Sequence, residues 1–360
     1  MFNIEKIRKD FPMIINHPNM VYFDNSATTY KPFSVINAVN DFYTNLTSNV
    51  HRGDYNTSFL VSNEYEDTRK VVARFINCDE KEVVFTSGAT FGLNQVANYG
   101  LDNLKKGDVI LTTLSEHASN ILPWFNVAKK TGATIKYIKQ DNEGILDMDS
   151  YKSLMDENVK VVTLAHVSNV LGHINPIKEI CEIAHNYNAI VVVDGAQSVP
   201  HIKIDVKDLG VDFLAFSAHK MCGPNGIGIL YGKFDLLQKL EPLVYGGGSN
   251  SRFSSNREVM LKDAPFKFES GTPNVEGVLG MKQAILYLEK IGMDNIHEYE
   301  VKLKDYMIQE LKKLGNIKLY NPNSDTGIIA LNGDGVFAQD SGSFFNTKNI
   351  CVRSGNHCAK

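Results

Sequence analysis

Seven short apolar runs recur between residues 82 and 231, and segments with a helical period separate them. The runs fall at 82–86, 108–113, 134–138, 159–166, 189–194, 212–217 and 226–231, with helical patterns at 91–99, 120–131, 149–157 and 177–186. Several are apolar at consecutive positions, Ile190-Val191-Val192-Val193 above all. A strand reads that way when both its faces are covered. Strand–helix alternation of this kind predicts an α/β fold around a mostly parallel sheet, with ligands bound where the strands end.

Two of those ends carry reactive groups. The run Asp212-Phe213-Leu214-Ala215-Phe216 stops in Ser217-Ala218-His219-Lys220, and Gly223-Pro224-Asn225-Gly226 follows closely. The preceding run stops at Asp194. An amine that can form an imine and an acid that can hold a pyridinium proton are the pair that a pyridoxal phosphate enzyme needs. A phosphate calls for free N–H groups at a helix start, and Thr86-Ser87-Gly88-Ala89-Thr90 follows a strand and opens a helix. Ser217 and His219 can add donors there. Leu114-Ser115-Glu116-His117 puts an imidazole just past another strand, where it can lie against a pyridine face. Each residue alone has an ordinary alternative: a solvated lysine, a turn aspartate, a capped turn, a satisfied histidine. Their shared place at strand ends joins them into one reading.

Cys358 follows a Ser354-Gly355-Asn356 turn with Arg353 and His357 close in sequence. Neighbouring cations raise the thiolate fraction of a cysteine. An unremarkable thiol near a chain end is an equal reading on composition alone. Cys351 alternates with apolar residues and reads as a buried strand position.

The rest of the composition excludes more than it assigns. A net charge of -4 without a Lys/Arg block favours neither nucleic acid nor a membrane surface. The first residues mix charge into a helical period, with Ile4, Ile7 and Phe11 on one side, and lack the apolar core of a signal peptide. Five scattered cysteines without a CxxC pair indicate neither a disulfide framework nor a metal site, and fit a reducing cytoplasm. At 360 residues two domains are expected. After Gly246-Gly247-Gly248 the chain turns polar and irregular to about Lys267; helical stretches at 275–291 and 296–314 and short strands at 317–320, 327–331 and 350–353 then predict a smaller α+β unit.

Further motifs run through nearly the whole chain: Asp24-Asn25-Ser26-Ala27-Thr28-Thr29, His51-Arg52-Gly53, His166-Val167-Ser168-Asn169, Asp194-Gly195-Ala196-Gln197, Glu269-Ser270-Gly271-Thr272-Pro273-Asn274 and Arg353-Ser354-Gly355-Asn356-His357-Cys358. With the strand ends above they resemble the class-V aminotransferases of fold type I, and among these the SUF-type (SufS/CsdA-type) cysteine desulfurases. The resemblance implies pyridoxal 5′-phosphate bound by a large domain at 20–265, with 1–19 and 266–360 forming the small domain. By position, Lys220 matches the lysine that bonds the cofactor, Asp194 the partner of its ring nitrogen, Gln197 the partner of its ring hydroxyl oxygen, and His117 the stacking acid/base. Ala89, Thr90, Ser217 and His219 match the phosphate site. Thr272 matches a residue that reaches the neighbouring subunit's phosphate, which implies a homodimer. Asn169, His51, Asn25 and Ala27 line the substrate position, and Cys358 matches the nucleophile that takes sulfur. L-Cysteine, or L-selenocysteine, is then the substrate, and a SufE- or SufU-like protein accepts the sulfur for iron–sulfur cluster assembly.

The family pattern continues past Cys358 to an arginine that grips the substrate carboxylate. No residue here matches it, and Arg353 is the partial substitute. The expectation is an unanchored Cys358 loop and weak substrate binding. Asn356 stands where the SUF-type pattern has a second histidine, and Cys222 where it has an aromatic. Two other readings stay open: another class-V enzyme, such as an aminotransferase or a selenocysteine lyase, and a cofactor-binding protein with little turnover.

Overall fold

The computed structural model describes residues 3–359. Met1, Phe2 and Lys360, which the expected small domain includes, lie outside the described residues. A two-residue strand β1 (Val21–Tyr22) precedes a central sheet of seven: β2 (Val83–Thr86), β3 (Val109–Thr112), β4 (Thr134–Tyr137), β5 (Val159–Ala165), β6 (Ile190–Asp194), β7 (Phe213–Ser217) and β8 (Gly228–Gly232). Their order is β2-β8-β7-β6-β5-β3-β4. Strands β7, β6, β5, β3 and β4 run parallel, and β8 is antiparallel to both β7 and β2. Every strand except β8 therefore ends at the same edge.

Alternation along the strands sends side chains to two separate cores. Val191, Val193, Leu214 and Phe216 join one, with Val61, Val72, Ile180 and Ala184 from the helices Asn56–Ile76 and Ile177–Asn186. Ile190, Val192, Phe213 and Ala215 join the other, under the helices Ala89–Asn103 and Ala118–Thr131. Burial on both faces is why these strands read as unbroken apolar runs. Each such side chain contributes on the order of 1.5–3 kcal/mol of transfer free energy. The helix Val275–Ile291 sends Val278, Met281 and Ile285 into the first of these cores.

Beyond the sheet, β9 (Asn250–Phe253) and β10 (Val259–Leu261) form a hairpin inside the polar segment, where the sequence predicts no strand. Strand β11 (Ile317–Leu319) pairs antiparallel with β12 (Leu331–Gly333), which starts at the last residue of the strand expected at 327–331. The Asn321 side chain donates to the Ile328 carbonyl and accepts from the Ala330 N–H, so the backbone just before β12 is held partly by a side chain, although the Ala330 carbonyl still accepts from the Tyr320 N–H. The helix Asn56–Ile76 is unheralded in the sequence because Ser58, Thr68 and Arg69 occupy buried positions on its inner face. Strand β13 (Ile350–Cys351) pairs in parallel with β1, which brings the C-terminal residues back against the segment after residue 22. Cys351 is half-buried there.

Candidate active site

The common edge of the sheet gathers the reactive residues. Gly88 and Ala89 follow β2, His117 follows β3, His166 to Asn169 follow β5, Asp194 ends β6, and Ser217 to Lys220 close β7. Register aligns Ala165 with Asp194 and Asp194 with Ala215, so β5, β6 and β7 finish nearly level.

At one end lies the start of the helix Ala89–Asn103. Gly88 caps it without a side chain, and the Ala89 N–H donates to Ser217 Oγ at 2.8 Å. Thr90 Oγ1 meets Ser119 Oγ at 2.8 Å. The chain is tight here, since a Cβ on Gly228 would come within 2.6 Å of the Gly88 Cα. A helix start this open to anions, with two hydroxyls beside it, fits a phosphate. His219, expected at the same place, has other partners. Its ring meets the Ala27 main chain, and its carbonyl accepts from the Thr29 N–H at 3.0 Å and from the hydroxyls of Thr28 and Thr29. Burial, then the Lys220 and Lys31 charges, push its ring down to about 4, so it is neutral at pH 7.

The centre holds Asp194, Lys220 and His117. Asp194 is 6% exposed, and one of its oxygens accepts from the Ala196 N–H at 2.9 Å. Burial lowers the Lys220 amine; Arg353 lowers it further, while the charge of Asp194 and the thiolate form of Cys358 act the other way. Burial and Lys220 lower His117, and Asp194 opposes them. His117 Nδ1 accepts from the Ser119 N–H, which leaves Nε2 as the protonated nitrogen of the neutral ring. Gln197 donates to the Ser26 carbonyl at 2.8 Å, while its buried Oε1 has no partner.

The Cys358 segment is held, contrary to the expectation of a loose loop. The Cys358 carbonyl accepts from the Ala118 N–H at 2.8 Å, the His357 carbonyl accepts from Asn169 Nδ2 at 3.0 Å, and Ala359 N–H bonds Asn356. The Cys358 side chain is exposed beside these anchors. Arg353 is not a free carboxylate clamp: its fork grips both oxygens of Asp24 at 2.9 Å. A guanidinium engaged in this bidentate way has little left for a second carboxylate. His357 also differs from expectation, because burial, with Arg353, lowers its ring and favours the neutral form.

Other expected residues lie around or away from this group. Ala27 sits half-buried against His219, and Asn25 is exposed, bonded to the Tyr22 carbonyl. His51 has partners of its own within the chain. It pairs with Glu66 at 3.3 Å and stands edge-on to Tyr65 and Phe266. Thr272 is exposed on the turn before the helix Val275–Ile291.

Comparison with known proteins decides the family. The model for aminotransferase class V matches residues 21–360. The chain belongs to the class-V aminotransferase family. A cysteine desulfurase from Haloferax volcanii is 40% identical over 99% of this chain and 88% of its own length. The apo structure of a cysteine desulfurase from Thermococcus onnurineus NA1 is 38% identical, covers 100% of this chain and 89% of its own, and superposes with a TM-score of 0.93. The cysteine desulfurase CsdA from Escherichia coli, solved in an S-sulfonic acid form, is 33% identical with a TM-score of 0.93, over 100% of this chain and 90% of its own. The expected fold and the resemblance to cysteine desulfurases are thereby borne out.

Members of this class-V family use pyridoxal 5′-phosphate. The residues of this chain fit it. A buried carboxylate, a buried carbonyl oxygen of Gln197 without a partner and a helix start capped by no side chain of its own lie along the sheet edge that carries the Lys220 amine. Among the described residues no helix is long and apolar enough to cross a membrane.

One residue of this class-V site has no role in the sequence reading. Glu116 is buried, accepting from Thr113 Oγ1, Asn120 Nδ2 and the Ala165 N–H. Burial, with the Asp194 charge, pushes it up to about 7 against the pull of those three donors. No local spacing marked it, since Thr113 and Glu116 precede the helix Ala118–Thr131 and Ala165 reaches them only through the fold.

Proposed function

We propose that this chain is a cysteine desulfurase that takes sulfur from L-cysteine, releases L-alanine and leaves a persulfide on Cys358. The observation that carries the reading is the position of the Lys220 amine, within electrostatic range of both Asp194 and Cys358. One group of residues can then hold the cofactor and present a thiol to its substrate.

Pyridoxal phosphate, when bound, supplies the electron sink that makes an amino-acid Cβ–S bond breakable. Lys220 would hold it covalently, and Asp194 would keep its ring nitrogen protonated. Gln197 Nε2 is held by the Ser26 carbonyl, and its partnerless Oε1 would accept from the ring hydroxyl. His117 would lie against the ring, and the Ala89 helix start, Thr90 and Ser217 would take the phosphate, with His219 behind them. Burial favours the neutral Lys220 amine, the form that removes a proton from the substrate Cα. Asn169, Asn25 and Ala27 border the substrate. Cys358 Sγ attacks the substrate sulfur. An S–S bond forms, the Cβ–S bond breaks, its electron pair stays with carbon, and a proton from Lys220 or His117 completes the alanine methyl group.

The finer assignments belong to the same proposal. A homodimer would use the exposed Thr272 and His51 at the neighbour's site, and exposed apolar side chains such as Tyr55, Phe59, Leu243 and Tyr245 would be covered. The division at 20–265 against 1–19 and 266–360 stays part of it, with the helix Val275–Ile291 packed across the boundary. A SufE- or SufU-like protein would accept sulfur from the exposed Cys358 for iron–sulfur assembly. The five free cysteines suit a cytoplasmic location. The test is the absorption spectrum of the purified protein with and without L-cysteine, followed by an alanine assay. A cofactor band that responds to L-cysteine with alanine released is expected; a responding band without alanine refutes turnover.

A further inference from the structure

Glu116 is 4% exposed and stands one residue before His117. Its hydrogen-bond donors are neutral. Thr113 Oγ1 donates to one oxygen at 2.8 Å, while Asn120 Nδ2 at 2.7 Å and the Ala165 N–H at 2.8 Å donate to the other. Asn120 in turn accepts from Thr163 Oγ1 at 2.7 Å. The carboxyl group thus ties the end of β3 and the first turn of the helix Ala118–Thr131 to β5. Ala165 is also the register partner of Asp194. The turn that carries His117 and the acid that faces it therefore hang from one point of the sheet. On its outer side the same turn gives the Ala118 N–H to the Cys358 carbonyl.

We propose that Glu116 is a positioning residue whose buried carboxyl group fixes the 116–118 turn, and through it sets both the His117 ring and the main chain of Cys358. The cofactor environment and the thiol segment would then be mechanically coupled. This rests on the roles proposed above for His117 and Cys358.

Shape, and not charge, is what the network needs. A glutamine amide oxygen can accept from Asn120 and Ala165, while its NH2 donates to Thr113 Oγ1. The Thr113 proton can then turn to Ser115 Oγ, 3.1 Å away. Alanine leaves two buried donors, Asn120 Nδ2 and the Ala165 N–H, without the acceptor they share. Ala118 offers a second handle. It is the first residue of its helix, where proline is tolerated, and His117 before it is extended at φ -61, ψ 143, as a residue preceding proline should be. Ala118→Pro removes the N–H that holds Cys358 and leaves Glu116 untouched.

The test uses the holoenzyme and three variants, Glu116→Gln, Glu116→Ala and Ala118→Pro. Two quantities are read: the rate constant for alkylation of Cys358 by iodoacetamide without substrate, followed by peptide mass spectrometry, and kcat and KM for alanine release. Misplacement of a reacting group by about an ångström can cost up to about 100-fold. Glu116→Ala is expected to speed alkylation several-fold and to lower kcat on the order of tenfold, with KM little changed. Glu116→Gln should stay within about twofold of the parent in both. Ala118→Pro should speed alkylation with the cofactor band unmoved. Loss in Glu116→Gln equal to that in Glu116→Ala overturns the proposal, as does unchanged alkylation in Ala118→Pro. Should Glu116→Ala not fold, a loss well beyond about twofold in Glu116→Gln, or unchanged alkylation in Ala118→Pro, overturns the proposal. If the parent releases no alanine, the desulfurase reading fails, while the alkylation arms, which need no substrate, still judge the coupling.

Discussion

Arg69→Ala should cost this protein more stability than any exposed ion pair on its surface. Arg69 is 2% exposed on the helix Asn56–Ile76. Its guanidinium donates to both oxygens of Glu269 at 2.7 and 2.9 Å, to Glu66 at 2.8 Å and to the Val83 carbonyl at 2.8 Å, and it lies 4.6 Å from the Phe85 ring centre. Glu269 is buried too, and without Arg69 it keeps only the Phe85 N–H and a long bond from the Tyr65 hydroxyl. Removing one partner of a buried pair strands the other charge and costs about 3–5 kcal/mol. The exposed pair Arg74–Glu289 is the internal control, because a surface pair contributes only about 0–1 kcal/mol. Trp124 is the single tryptophan and is fully buried, so its fluorescence reports urea unfolding without a label. Arg69→Ala should lower the unfolding free energy several times more than Arg74→Ala. The double variant Arg69→Met with Glu269→Gln should recover part of the loss, since no charge is left unpaired. Equal, small effects of Arg69→Ala and Arg74→Ala would refute the reasoning. Glu269 also heads the loop that bears Thr272, so the same variant tests whether that loop depends on the ion pair.

His166 is 5% exposed, its Nδ1 has no partner, and burial pushes its ring down to about 4. It is neutral in the folded chain and takes up a proton in the unfolded one below about 6.5. Its stabilising contribution is therefore complete above about 6.5 and lost as pH falls toward 4, a change of about 3 kcal/mol; urea titrations across that window should show a flatter pH dependence in His166→Asn. Gly228→Ala would drive a Cβ to within 2.6 Å of the Gly88 Cα at the anion-binding helix start, and titration of the apo-protein with pyridoxal phosphate should show affinity down by about tenfold or more, roughly 1.4 kcal/mol; unchanged affinity would place the phosphate elsewhere. Cys358→Ser should abolish persulfide formation, read by mass spectrometry, with the cofactor band unaltered; retained turnover would favour another class-V reaction.

Much of the site is legible before folding because its residues stand at the ends of apolar runs. Asp194 and Lys220 each close a strand, and the unbroken apolar character of those strands already implies a covered parallel sheet. The helix Asn56–Ile76 escapes detection because Arg69 sits on its inner face, where local patterning predicts an apolar residue and only the distant Glu269 makes a guanidinium tolerable. The strand expected at 327–331 begins only at Leu331, and just before it a side chain, Asn321, takes the Ile328 carbonyl and the Ala330 N–H.

The amino-acid order alone determined the family, the strand–helix alternation and the identity of the groups at the strand ends, since these follow from local composition and from side-chain alternation with period two. Only the tertiary structure decided that Arg353 is engaged by Asp24, that Cys358 is tied to Ala118, and that Glu116 joins two strands beneath His117. Those contacts join residues brought together by strand order and by the pairing of β13 with β1. Hydrogen bonds and ion pairs act over a few ångströms of space, and distance along the chain carries no record of which groups that space will hold.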